Sequence, residues 1–187
     1  MRQKLSMAWE RAPSVQPISR LLFCTALIIS LTACSRTISF EEEVEISPGE
    51  VIVIKREEKH KRASEAFKPG WRFEKSILKL PIKGAPDWVG EELRPMLLLK
   101  NQEGSITLIG RAVFGGCTRY REFLYKDGKW SGTAFEQQYF EKEANLLIAG
   151  DEVESSSKRI LLLEKKKKND EPGLPDFSKR IVRSPSC

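Results

Sequence analysis

Ile38-Ser39-Phe40-Glu41-Glu42-Glu43-Val44-Glu45-Ile46-Ser47-Pro48-Gly49-Glu50-Val51-Ile52-Val53-Ile54 carries the pattern from which the fold of this chain is read. Ile38, Phe40, Val44 and Ile46 fall on alternate positions with glutamates assigned to the opposite face, which is the period of a half-buried strand. Ser47-Pro48-Gly49 supplies turn chemistry, Pro fitting the second turn position and Gly a positive φ, and residues 51–54 return as a second strand of a hairpin. Outward from this unit, residues 55–68 are dominated by charge, lack apolar periodicity and are expected to form an exposed loop. Residues 71–82 read as a strand whose apolar phase changes between Trp71 and Phe73 on one side and Leu78, Leu80 and Ile82 on the other, so a bulge near Lys75-Ser76 is expected. After a break at Gly84-Ala85-Pro86-Asp87, the buried run 95–99, a turn at residues 101–104 and Ile106-Thr107-Leu108-Ile109 predict a second hairpin. Gly115-Gly116 interrupts before residues 120–125, and Asp127-Gly128 turns the chain towards Trp130. Phe140, Ala144 and Leu147 predict a helix within residues 135–148, and residues 159–163 a last strand. The fold class expected is α+β or mainly β, an antiparallel sheet or sandwich of short strands with one helix late in the chain.

The chain has 187 residues, four cysteines and a net charge of +6. Its start has a separate logic: Arg2, Lys4, Arg11 and Arg20 form a basic leader, residues 21–33 an apolar core, and Leu31-Thr32-Ala33-Cys34 closes it with two small residues before a cysteine. The apolar run is shorter than the roughly twenty residues a spanning helix needs. The arrangement resembles bacterial lipoprotein signals with a lipobox. That resemblance implies cleavage between Ala33 and Cys34, a diacylglycerol on the Cys34 sulfur and acylation of the new amino terminus. It thus implies a covalent lipid at Cys34 as the only added group, with the membrane as a partner through the anchor. Ser35 is not the aspartate that retains enterobacterial lipoproteins in the inner membrane, so the expected address is the periplasmic face of the outer membrane.

The domains expected are a signal peptide at 1–33, a lipidated end and short tether at 34–36, one β-rich domain at 37–168 and a polar C-terminal tail at 169–187. Removing the leader takes away four basic residues and Glu10, which leaves +3 on the mature chain. Charge of both signs is spread along it, unlike the concentrated basic face of a nucleic-acid binder, so no nucleic-acid partner is expected. The stretch from Ile38 to Val44, with Val51-Ile52-Val53-Ile54-Lys55-Arg56, is similar to small uncharacterised proteobacterial envelope proteins, a resemblance that implies no activity.

Few residues suggest chemistry. His60, the only histidine, sits in Glu57-Glu58-Lys59-His60-Lys61-Arg62 and is assigned to solvent. No close Cys/His spacing suggests zinc, and no metal ligand or catalytic residue is expected. With Cys24 lost and Cys34 capped, Cys117 and Cys187 either pair or remain free thiols in an oxidising compartment. Gly115-Gly116-Cys117, beside Thr118, Arg119 and Arg121, offers the alternative of a reactive thiolate, although no histidine is near to serve as its base. Lys165 to Lys168, with Lys158 and Arg159, suit either anionic lipid headgroups or a charged strand end that discourages edge pairing. Trp71, Trp88, Trp130, Tyr120 and Tyr125 are either core or an exposed aromatic patch. The function expected is a non-enzymatic envelope interaction or structural module with an envelope protein as partner; the alternatives are a hydrolase or thiol enzyme using Cys117, or a partner-specific inhibitor of the immunity type.

Overall fold

The opening hairpin forms as its pattern predicts, with β1 (Ser35–Ser47) antiparallel to β2 (Glu50–Arg62) around a turn in which Gly49 takes φ +78°. In the computed structural model residues 35–62, 70–114, 117–148, 159–170, 172 and 179–183 are described. The leader, Ala33, Cys34, Gly115-Gly116, Lys158 and Cys187 lie outside them. β3 (Trp71–Lys79) and β4 (Trp88–Glu91) extend the hairpin, and β9 (Arg159–Ile160) lies parallel to β1. The resulting five-stranded sheet has the order β4-β3-β2-β1-β9. β5 (Arg94–Lys100), β6 (Ile106–Phe114), β7 (Cys117–Lys126) and β8 (Lys129–Thr133) form a second, four-stranded meander in chain order. Its last turn puts Asp127 at φ 52° and Gly128 at φ 77°, the left-handed pair that a two-residue hairpin requires.

The two sheets share one apolar core. Val44, Ile46, Ile54, Leu78 and Trp88 from the first sheet meet Leu98, Ile106, Leu108 and Ala112 from the second. Trp130 and Tyr125 pack on the same core half-buried, whereas Trp71 is exposed, so the aromatics are chiefly core. The opposite face of the second sheet is covered as well. Leu97 and Ile109 point there and pack with Tyr139 and Ile181, which explains the unbroken apolar run in β5. Pro95 is accommodated because β5 is an edge strand. A sheet, a sheet and a covering segment therefore make the mainly β sandwich that the sequence predicts, with one late helix among the described residues.

Several local expectations need correction. Residues 55–62 are not a loop: they are the second half of β2, paired with β1 and β3 on either side. The phase change in β3 is made by a bulge at Glu74, since Lys59 faces Lys75 while His60 faces Phe73, one residue from the expected place. Residues 135–148 are not a helix. They hold one 3-10 turn at Gln137–Tyr139 and then an irregular strap. The helix is α1 (Leu162–Asn169), and the strand expected over 159–163 stops at Ile160. Ile181, assigned by its position to the tail, is fully buried, and its backbone pairs with Glu141 and Lys142 at 2.7 and 3.0 Å.

Asn145 joins the sheets through the strap. Its side-chain amide donates to Leu98 O (2.7 Å) and Glu45 O (2.9 Å) and accepts from Leu98 N (2.8 Å). A bulge at Met96, between the pairs Pro95–Gly110 and Leu97–Ile109, leaves its carbonyl to accept from both Asn145 N and Leu146 N at 3.1 Å.

Trp88 lies folded over Gly90, where an added Cβ would stand 2.1 Å from the indole ring; at Gly110 the nearest atom to such a Cβ would be 3.4 Å away. Gly90→Ala is expected to lower stability by about 1–3 kcal/mol through overpacking, and Gly110→Ala by distinctly less. Urea midpoints of the two variants at unchanged m-value check this ordering.

Candidate functional site

The inner face of the first sheet is divided. Val44, Ile46, Ile54, Leu78 and Leu80 form an apolar half beneath the second sheet. The same inward phase, continued along β1 and β2, brings Glu42, Arg56, Glu58 and His60 into the interior, the first three with no exposed surface and His60 with 2%. Glu42 thus belongs to the inward face and not, as the sequence pattern suggested, to the outer one. The alternating partners Lys55, Glu57 and Lys79 face outward, where Glu57 lies 3.6 Å from Lys55 and 3.5 Å from Lys79. Such exposed pairs are screened by solvent and add little to stability.

Inside, Arg56 Nη1 donates to Leu147 O at 2.5 Å and to Glu42 Oε1 at 3.3 Å, while Nη2 donates to Glu58 Oε1. Its guanidinium also lies 5.5 Å from the Phe40 ring centre. Glu42 Oε2 accepts from Leu147 N at 2.8 Å and is 3.6 Å from Lys165 Nζ. Lys165 is almost fully buried, and it donates to Glu43 O. Burial lowers its pKa, against the pull of Glu42. The lysine run is therefore neither a strand end nor a uniform basic surface. Lys165 seats α1 on β1, Glu43 Oε2 accepts from Leu162 N at the start of the helix, and Asn169 fastens its end to Leu146 O (3.0 Å) and Ile148 N (3.2 Å). The helix is held by polar contacts; Leu161 and Leu163 remain exposed.

His60 is not solvated. It sits edge-on to Phe73 at 5.8 Å, with Nε2 3.8 Å from Glu58 Oε2. The same Glu58 oxygen is 3.9 Å from Arg94 Nη1, which carries the network out of the core to the end of the sandwich. There Arg72 from β3, Arg94 from β5 and Arg111 from β6 line a cleft of about 220 Å³ with Phe73, Val113 and Glu92. Arg94 and Arg111 occupy directly paired positions on β5 and β6. Arg111 is 8% exposed. Burial, and then the charge of Arg94, lower its pKa. Arg94 stacks over Phe73 at 4.5 Å and donates to Ile148 O at 3.4 Å, and Arg72 is 3.9 Å from Glu92. Guanidiniums present paired N–H donors that suit planar or tetrahedral oxyanions and keep their protons near neutral pH.

A second groove, lined in part by Thr107, Tyr139 and Lys142, contains Glu122. Burial raises the pKa of Glu122 although its oxygens accept from Glu136 N (3.2 Å) and lie 3.4 Å from Tyr139 Oη. Cys117, at the start of β7, is held in a disulfide whose partner lies outside the described residues. Among the described residues no group of three His, Cys, Asp or Glu could hold a metal ion, and no helix is long and apolar enough to cross a membrane. No protein-family model, curated protein or solved structure matches the chain. Neither the ion network nor the arginine cleft was found from sequence. The usable signal was the even spacing of Glu42 in β1 and of Arg56, Glu58 and His60 in β2, in phase with the apolar residues of the same strands.

Two outcomes follow from these charges. Arg56→Met is expected to cost about 3–5 kcal/mol because it takes the nearest cation from two buried carboxylates and leaves the Leu147 carbonyl without its donor, and adding Glu58→Leu to it should raise the urea midpoint again rather than lower it. For Glu122 the folded pKa lies above that of the unfolded chain. The folded state therefore binds more protons between the two values, and stability falls as pH rises through that window. Glu122→Gln should flatten thermal stability across that acidic range and raise it at neutral pH.

Proposed function

We propose that this chain is an envelope lipoprotein, cleaved before Cys34, acylated there and held at the periplasmic face of the outer membrane. Its β-sandwich acts as a binding or structural module rather than an enzyme. The observation that supports this most directly is the chemistry gathered at the end of the sandwich: guanidiniums in a cleft, backed by the carboxylate of Glu58, which is shared among Arg56, His60 and Arg94. Such groups recognise an anionic partner and leave proton transfer to others. Cys117 supports the address, because a disulfide belongs to an oxidising compartment, and it removes the thiolate that a cysteine enzyme requires. The partner is an envelope protein or an anionic envelope component reached from the anchor, and the anchor needs no cofactor beyond its lipid. Three acyl chains exceed the two signals that suffice for stable anchoring.

The anchor and the disulfide constrain each other. If Cys24 leaves with the leader and Cys34 carries lipid, Cys187 is the one cysteine left for Cys117. Non-reducing peptide mapping of the membrane-extracted protein is expected to yield a peptide joining Cys117 to Cys187. A peptide joining Cys117 to Cys34 would end the lipoprotein proposal, as would palmitate labelling that survives Cys34→Ser. In-cell crosslinking followed by purification tests the module itself: one dominant partner is expected, and thiol-dependent turnover by the purified protein would overturn it.

A further inference from the structure

The helix α1 is built inside out. Its inner side is polar: Lys165 and Asn169 are buried there, tied to Glu43 O, Leu146 O and Ile148 N. Its outer side carries Leu163, 81% exposed, and Leu161 just ahead of the helix is half exposed. Lys166 and Lys167, three and four positions after Leu163, share its face and are exposed as well. In water the inner side therefore bears a desolvated ammonium while the outer side leaves its leucines hydrated. The arrangement suits a medium that is anionic at its surface and apolar beneath it. Resting on the lipoprotein reading above, we propose that the outer side of α1, formed by Leu161, Leu163, Lys166 and Lys167, is a docking face for an anionic phospholipid surface.

The lysines select lipid over protein. Lysine is depleted at the centres of protein interfaces, whereas an anionic leaflet attracts each lysine brought near it. Lysine stems also lie along apolar surface while their ammoniums reach outward, which places Leu163 below and the charges level with the phosphates. Among residues 161–170 the exposed charges are Lys166, Lys167 and Asp170, the last at the end of the helix, so the face carries a positive excess. An eight-residue helix with two leucines is too small to hold a membrane unaided. The anchor removes that difficulty, because a contact on a chain already tethered to the bilayer forms at high effective concentration. β1 starts one residue after Cys34, and Glu43, whose carboxylate accepts from Leu162 N, lies eight residues further along it, about 26 Å at the rise of a strand. The acylated end and the helix are thus two separate contacts, and together they lay β1 along the membrane where a single anchor would let the domain swivel.

The test uses the full-length protein extracted from the membrane and reconstituted into vesicles of lipid brominated on its acyl chains, with or without phosphatidylglycerol. Bromine quenches tryptophan on contact, so Leu163→Trp reports on the outer side of α1, and the wild type sets the background of the other tryptophans. In vesicles with phosphatidylglycerol Leu163→Trp is expected to be quenched well beyond that background, and less so at high salt. Adding Lys166→Gln and Lys167→Gln is expected to lower the ratio of docked to free helix about tenfold. These side chains take no part in seating the helix, so the thermal midpoint in detergent should stay in place. Flotation on a density gradient reads the anchor separately. Protein that floats without added quenching overturns the docking face and leaves the lipoprotein reading standing; protein that floats with neither kind of vesicle overturns both. Flotation on anionic vesicles alone, with quenching, supports the face and overturns the anchor. Quenching that is indifferent to phosphatidylglycerol and to the lysine substitutions overturns the proposal. A photoreactive residue at position 163 that captures a single protein in cells, with no quenching in vesicles, assigns the face to a protein partner and overturns it as well.

Discussion

The guanidinium of Arg56 stands in the middle of the first sheet's inner face, without exposed surface, and the segments that close that half of the sandwich are arranged around it. Taking a charge out of water costs several kcal/mol unless the interior replaces its hydration. Here the replacement comes from three places far apart in the chain: Glu42 on β1, Glu58 beside it on β2, and the carbonyl of Leu147 on the strap. Glu42 in turn receives the amide of Leu147 and lies against Lys165 of α1. One buried cation therefore fixes the strap and the helix relative to the sheet. A displacement of either would leave a carboxylate or the guanidinium unpaired, so the arrangement is specified more sharply than apolar contact alone would specify it.

Apolar packing and polar stitching divide the molecule between them. Where the second sheet lies over the first, Val44, Ile54, Leu78, Leu98 and Leu108 interdigitate and Trp88 fills the space made by a missing side chain at Gly90. Where the second sheet ends, the inner face of the first sheet turns largely to charge, and only the small cluster of Ile38, Phe40, Leu147 and Ile160 continues the core. The strap takes over, held to the sheets by the buried side chains of Leu146 and Leu147, by the hydrogen bonds of the Asn145 side chain and by those its backbone donates to the released carbonyl of Met96, while Asn169 ties the helix to the strap. α1 has no apolar stripe directed inward; its buried residues are Lys165 and Asn169. This explains how an eight-residue helix that exposes Leu163 can be seated at all.

The cleft is where the interior charges reach the surface. Glu58 touches Arg56 and His60 on the core side and Arg94 on the outer side. Through Arg94 the arginines of the cleft are joined to the same network that positions the strap, and they sit on strands rather than on loops. Rigid donors lose little freedom on meeting a ligand.

The alternation of apolar residues in β1, the apolar runs of β5 and β6 and the turn residues Gly49, Gly104 and Gly128 are local properties, and they determined most strands, their antiparallel pairing and the sandwich class. The resemblance of residues 31–34 to a lipobox, on which the proposed anchor rests, is a local reading too. Residues 55–62 escaped because the test for a strand is apolar periodicity, and here the inward positions are Arg56, Glu58 and His60, whose partners lie on β1, the strap and β5. The helix escaped for a related reason: Phe140, Ala144 and Leu147 have helical spacing, but Tyr139 and Leu147 are drawn to opposite faces of the molecule, into separate apolar clusters. α1 shows no stripe at all, because polar partners from elsewhere bury its inner face. The paired arginines at positions 94 and 111 are seventeen apart in a sequence that gives no sign of their meeting; only the register of β5 on β6 sets them side by side. What depends on a residue and its neighbours was determined by the sequence directly, and what depends on where a buried charge finds its counter-charge was decided only by the tertiary structure.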